Sequence, residues 1–291
     1  MRLSIVDTFN KSAVGTFRDD LGVPPTPEAL VSDLALVWDR LAAVGEGLSP
    51  DDWRRPTECP GWTVQDQFAH MIGTESALAG RPAPAPVPAP HAKGPMGELN
   101  EGWVASWRPR TGPEVLAAFR EVTGARLAAL RAMTPSEWEA PTATPVGPGT
   151  YALFMEIRVF DCWIHEQDVR RAVGRPGHLS GPAAALAMDR LAGSLGFVVG
   201  KRVGAADGVS VVAALEPPLG RILAVAVAGG RASPVDPPSD PTVRIRTDGE
   251  TWACLCAGRW TAAAMVEGGR VAFDGDQALG RAVLEQLTIT P

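Results

Sequence analysis

The apolar residues of this chain recur with one period over its first two hundred positions and another beyond Gly208, and that switch restricts the fold more than any motif does. From Glu28 to Val44, Leu30, Leu34, Val37, Trp38 and Leu41 return at helical spacing. The same pattern recurs from Thr63 to Ala79, from about Gly97 to Trp107, from Pro113 to Met133 and from Thr150 to Val173. Long amphipathic helices joined by loops of unequal length are the parts of a four-helix bundle. A further helix is expected over about Gly181 to Val199. Past Gly208, short β-branched runs bounded by Gly, Pro and Asp (209–212, 222–227, 243–246 and 271–273) read as strands, with helices at about 249–257 and 277–287. The expected architecture is an α-helical domain over 1–177 followed by a smaller mixed α+β domain over 178–291.

Local punctuation agrees with these limits. Thr63 with Asp66 three residues on is a capping-box start, Ser49-Pro50 begins a short helical turn, and Gly174-Arg175-Pro176 stops the helix that Thr150 begins. Alternating Pro and Ala from Arg81 to Pro90 are incompatible with a helical hydrogen-bond ladder, so a surface loop of polyproline character is expected. Pro135, Pro141, Pro145 and Pro148 punctuate a long connection.

The polar residues of the Thr150–Val173 helix carry the chemistry. Arg158, Asp161, His165 and Asp168 form a polar stripe in a segment otherwise rich in Phe, Ile, Trp and Val. Asp161 and His165, four apart, lie on one helical face and can address one object, and His70 sits in the middle of another apolar helix. Two imidazoles and a carboxylate suit a divalent ion with open positions for water or substrate, a catalytic arrangement; zinc and mononuclear iron use similar parts, and spacing does not choose between them. A helical Asp/His pair is equally the geometry of a plain side-chain hydrogen bond, and His70 of a core histidine bonded to a carbonyl. Glu166 and Asp168 are placed either to orient the ligand imidazoles or to pair with Arg170 and Arg171. Arg158 and Arg259 are candidates for gripping a substrate carboxylate.

Other function classes find little support. A formal net charge of −6 gives no electrostatic reason for nucleic acid or an anionic membrane as partner. Met1 to Asp20 lacks an apolar leader core and no stretch approaches the roughly 20 apolar residues that span a bilayer, so a cytoplasmic protein is expected. The four cysteines, Cys59, Cys162, Cys254 and Cys256, do not form a disulfide framework. Cys162 reads as a small core residue, and Cys254 and Cys256 as helical with one of them buried. Gly200-Lys201 fails as a phosphate loop, because Leu195 and Arg202 replace the required glycine and hydroxyl.

Thr57-Glu58-Cys59-Pro60-Gly61-Trp62-Thr63-Val64 with His70, and then Asp161 through Arg170, resemble the actinobacterial mycothiol-dependent maleylpyruvate isomerase family. The resemblance continues through Gly258-Arg259-Trp260, Glu267 to Val271 and Gly275-Asp276. It implies a DinB-like four-helix bundle with a sterol-carrier-like second domain, and zinc ligands at His70, Asp161 and His165. The family's middle ligand is commonly glutamate, so Asp161 departs by one methylene. The resemblance further implies mycothiol or a similar low-molecular-weight thiol as cofactor and a small electrophile as substrate. Thiolate addition to a cis double bond, rotation and elimination would make an isomerase; retention of the thiol would make a transferase. A binding protein, with an apolar ligand in the second domain and a structural or vestigial metal, is the competing expectation.

Overall fold

The computed structural model describes residues 24–88, 90–91 and 94–290, which form two units, 24–178 and 179–290. In the first, α1 (Pro27–Glu46), the short α2 (Pro50–Trp53), α3 (Val64–Leu78), α4 (Gly94–Trp107), α5 (Gly112–Ala132), the short α6 (Pro135–Trp138) and α7 (Tyr151–Ala172) follow one another. The α1, α5, α3 and α7 helices pack in a closed ring, α1 on α5, α5 on α3, α3 on α7 and α7 on α1, and α4 packs on the outside of α3. Leu34, Val37 and Leu41 of α1, Phe68 and Met71 of α3, Val115 and Phe119 of α5 and Met155 and Val159 of α7 are wholly buried between them. Each such side chain contributes about 1.5–3 kcal/mol by leaving water. Phe68 meets Phe119 edge-on at 5.2 Å, which ties α3 to α5.

The helix starts are capped as the residues dictate. The Thr63 N–H donates to Asp66 Oδ2 at 2.9 Å while the Asp66 N–H donates to Thr63 Oγ1 at 3.3 Å, and the Leu153 N–H donates to Thr150 Oγ1 at 3.2 Å. These caps set the rotational phase of α3 and α7, and so decide which side chains enter the bundle. The α7 helix ends at a glycine with φ of +64°, Gly174, where a β-carbon would be strained.

The long connection punctuated by prolines holds elements that were not expected. Besides α6 it holds a hairpin of β1 (Pro141–Thr144) and β2 (Gly147–Thr150), with Ala143 opposite Pro148. A two-stranded ribbon has only edges, which proline tolerates, and Thr144 clamps its turn by donating to the Gly147 carbonyl at 2.6 Å. The polyproline stretch, in contrast, carries no helix or strand over 81–88.

Asp33 on α1 is an oddity of this core, only 6% exposed. Burial pushes its carboxyl up to about 6, with His178 partly opposing the shift. A folded value above the ordinary 3.8 means that Asp33 supports the fold fully below about pH 4 and that this support is lost as pH rises through 6. Asp33→Asn is therefore expected to stabilise the protein at pH 7–8 by about 1 kcal/mol, after allowance for partial solvent screening, and to flatten the pH dependence between 4 and 7. Denaturant midpoints across that range measure it; a variant less stable than the parent at pH 8 would contradict it.

The second unit begins with α8 (Pro182–Ala192), which the turn at Gly193-Ser194 separates from α9 (Leu195–Phe197) and a π-helical turn, Val198–Arg202. The continuous helix expected here is thus broken. Pro182–Arg202 as a whole is nonetheless long and apolar enough to cross a bilayer, against the expectation that no segment would be; half of its most apolar window is buried within the protein, as in a core helix. Strands β3 (Ser210–Glu216), β4 (Arg221–Ala228), β5 (Arg231–Pro234), β6 (Val243–Asp248) and β7 (Val271–Gly275) form one sheet in the order β5-β4-β3-β6-β7. Only β3 and β6 pair in parallel. The α10 helix (Gly249–Cys256), α11 (Ala262–Glu267) and α12 (Gln277–Glu285) complete the unit. Both Cys254 and Cys256 are buried on α10, not one of them. The α11 helix and β5 were not expected, since neither buries a continuous apolar face that the sequence pattern would display.

Candidate metal centre

His70 from α3 and Asp161 and His165 from α7 converge inside the bundle. His70 Nε2 lies 3.2 Å from Asp161 Oδ2, and His165 Nε2 lies 3.5 Å from Asp161 Oδ1. One ligand atom from each of the three lies within 4.8 Å of the others. The imidazole rings meet edge-on with centroids 4.7 Å apart. Their side chains are 6% and 8% exposed and that of Asp161 is 29% exposed, so the site opens to water on the carboxylate side.

The fit to a divalent ion can be judged from these groups. Donors about 2.0–2.2 Å from one ion stand roughly 3–3.5 Å apart, and the two imidazole–carboxylate distances, to different oxygens of Asp161, fall in that range. Burial pushes His70 down to about 4, although Asp161 works the other way, so its imidazole is neutral and its lone pair available at pH 7. Burial alone would raise Asp161, but the Arg158 guanidinium, followed by His165 and His70, holds it well below the usual carboxylate range. His70 Nδ1 is buried without a hydrogen-bond partner, so the protein does not fix that ring through its second nitrogen. Two imidazoles and one carboxylate oxygen suit zinc or another borderline cation.

The surrounding groups hold the donors in place. Arg158, 3% exposed, donates to the Asp161 carboxylate, to Glu75 at 2.9 Å and to Cys162 Sγ at 3.3 Å. Its fork is taken up by protein groups, Asp161 among them. Glu75 also accepts from Arg126 at 3.0 Å, and Arg126 donates to the Tyr151 hydroxyl at 2.7 Å. Cys162, fully buried, accepts from Trp38 Nε1 at 3.3 Å, and burial pushes its thiol up to about 12. Trp62 covers both ligand imidazoles, with ring centroids 5.1 Å from His70 and 5.7 Å from His165, and its Nε1 donates to Glu101 at 2.9 Å.

Of the two acidic residues expected beside the ligands, only Asp168 is there, with Oδ2 3.5 Å from His165 Nδ1. Glu166 turns away to His178 Nδ1 at 2.6 Å and Arg170 Nε at 2.7 Å. Arg259 belongs to the second unit, where it donates to the Ala257 carbonyl at 2.9 Å. Sequence reasoning missed Glu75 and Trp62. A glutamate inside the apolar run of α3 was the available signal for the first, because a buried carboxylate requires a partner.

A bundle whose core gathers two imidazoles and a carboxylate, open to water on one side, defines a helical protein with a candidate metal site. Residues 34–170 match the Mycothiol maleylpyruvate isomerase N-terminal domain, and this segment belongs to that domain family. A crystal structure of the mycothiol-dependent maleylpyruvate isomerase is similar with a TM-score of 0.54 at 18% identity, over 85% of this chain and 93% of that one. A mutant of that isomerase gives 0.52 at 17% identity, over 90% and 96%. At these identities the likeness is one of fold. An uncharacterized protein of Mycobacterium tuberculosis is 28% identical over 152 residues, 51% of this chain and 58% of the relative, so the chain spans little more than half the length of that curated relative.

Proposed function

We propose that the protein is a metal-dependent enzyme acting with a low-molecular-weight thiol such as mycothiol on a small electrophile, as an isomerase or a thiol transferase. The observation that carries this reading is the convergence of His70, Asp161 and His165 within 4.8 Å on the open side of a buried site. Zinc is the ion proposed. A bound divalent ion would make a thiol available as thiolate at neutral pH. The chain's own residues do the rest: His70 and His165 present imidazole nitrogens, Arg158 fixes the Asp161 carboxylate, and Trp62 keeps water off the imidazole rings. The partial exposure of Asp161 supplies the approach for both reactants.

The test is turnover of a cis-alkene electrophile by the purified full chain with mycothiol, before and after chelation, in parent and His70→Ala proteins. Loss of turnover by at least about 100-fold is expected on chelation and in the variant, since loss of a ligand should exceed the 10- to 100-fold effect typical of its supporting groups. Undiminished turnover in either arm contradicts the proposal. A stoichiometric ion with no thiol-dependent reaction would favour the binding reading instead.

A further inference from the structure

The indole that covers the ligand imidazoles is held by a helix outside the ring of four. Trp62 is buried and packs with Cys59, Ala69 and Val104, and with the partly buried Trp107 of α4. Its Nε1 donates to Oε2 of Glu101, an α4 residue only 3% exposed. The other oxygen, Oε1, accepts from Arg108 Nη1 at 2.6 Å, and Arg108 Nε donates to Asp66 Oδ1 at 3.1 Å. Asp66 in turn accepts from the Thr63 N–H, one residue along the chain from Trp62. These bonds close a loop in which Glu101 holds the indole, Asp66 holds the backbone beside it, and Arg108 joins the two carboxylates. His91 Nε2 lies 3.4 Å from Glu101 Oε2, and its ring leaves no room at Gly61, where a β-carbon would meet Nδ1 at 2.5 Å.

We infer that Glu101 is a positioning residue of the metal centre, which acts through Trp62 by setting the indole over His70 and His165. The inference rests on the metal-dependent reading proposed above. An indole has a single donor, and a buried donor requires an acceptor. Glu101 Oε2 supplies it at 2.9 Å, from a carboxylate whose charge Arg108 offsets, so the bond is charge-assisted and directional. Apolar packing around the ring is non-directional; the bond to Glu101 fixes which way the ring faces. In that orientation the indole lies tilted by 37° to the His70 ring and by 35° to the His165 ring, within reach of both. With the acceptor removed, the indole loses this register and water gains the side of the imidazoles that the fixed ring closes.

The experiment compares Glu101→Leu, Glu101→Gln, Trp62→Phe and the Trp62→Phe/Glu101→Leu double variant of the full chain by two readouts. In metal-free protein, proton NMR follows the ring C–H signals of His70 and His165, which the overlying indole displaces; the chain has four histidines, so the signals are assignable one by one. In zinc-loaded protein, the rate of zinc release to a chromogenic chelator is measured. Glu101→Leu is expected to shift both histidines' signals and to speed release by about 10-fold or more, the lower end of the effect of groups that support a metal site. Glu101→Gln is expected to restore both readouts, because its amide oxygen still accepts from the indole while Arg108, whose side chain is 41% exposed, turns to water. In the Trp62→Phe background, Glu101→Leu is expected to add nothing. Unmoved histidine signals in Glu101→Leu, or the same acceleration with and without Trp62, overturn the inference. Should Glu101→Leu fail to fold, the parent decides: the Trp62 indole N–H, identified by its loss in Trp62→Phe, supports the inference if protected from solvent exchange and overturns it if it exchanges freely. A parent that binds no zinc removes the proposed function, and Glu101 then stands or falls as the holder of Trp62 on the histidine signals alone. Zinc bound and released as expected, without thiol-dependent turnover, keeps the inference and removes the proposed function.

Discussion

Replacing His165 with alanine is expected to leave the protein without stoichiometric metal, even after incubation with zinc, and without thiol-dependent turnover. His165 is one of the three groups that converge at the proposed site, with its Nε2 3.5 Å from Asp161 Oδ1. The two remaining donors are too few to hold a zinc ion against water, and affinity should fall well beyond about 100-fold. The ring also packs against Trp62 and His70, so its removal opens a cavity, and a stability loss of about 2 kcal/mol is expected alongside. Elemental analysis of the folded variant, with unfolding of parent and variant compared in chelator, separates the two effects. Metal retained at one equivalent would refute the assigned donor set.

Glu75→Ala should be the most destabilising single change in the bundle, by about 3–5 kcal/mol. Glu75 is fully buried and accepts from two guanidinium groups, Arg126 and Arg158, themselves 5% and 3% exposed. Its loss leaves two positive charges in a low-dielectric interior without their shared partner. The surface pair of Arg120 and Glu46 has the same chemistry at roughly half exposure, and breaking it should cost less than about 1 kcal/mol. Denaturant midpoints at unchanged slope provide the comparison. If Glu75→Ala lost less than 1 kcal/mol, water would have to reach the arginines and the account of Arg158 as the fixed support of Asp161 would fail.

The helices and the three donors were legible in the sequence because helical periodicity, a capping threonine and i, i+4 spacing are local properties. Thr63, Thr150, Asp161 and His165 declare their roles within a few residues of chain. What escaped was non-local or weakly patterned. The β1–β2 hairpin is rich in Pro and Gly, whose strand character depends on the partner strand and not on propensity, and the α11 helix has no buried stripe to reveal it. Glu75 is separated by 83 residues from the arginine it holds, and no spacing rule links them. Glu166 and Asp168 stood equal in the sequence; only the rotation of α7 about its axis sends one to His178 and the other to His165.

The uneven burial of the three convergent groups would also set the order in which they released an ion held there. Both imidazoles are shut behind Trp62, and the carboxylate alone touches solvent. A chelator or a competing cation would begin its attack at Asp161, displacing an oxygen before any nitrogen. The shorter side chain at this position would then act on the speed of metal exchange, as the hinge on the outer door.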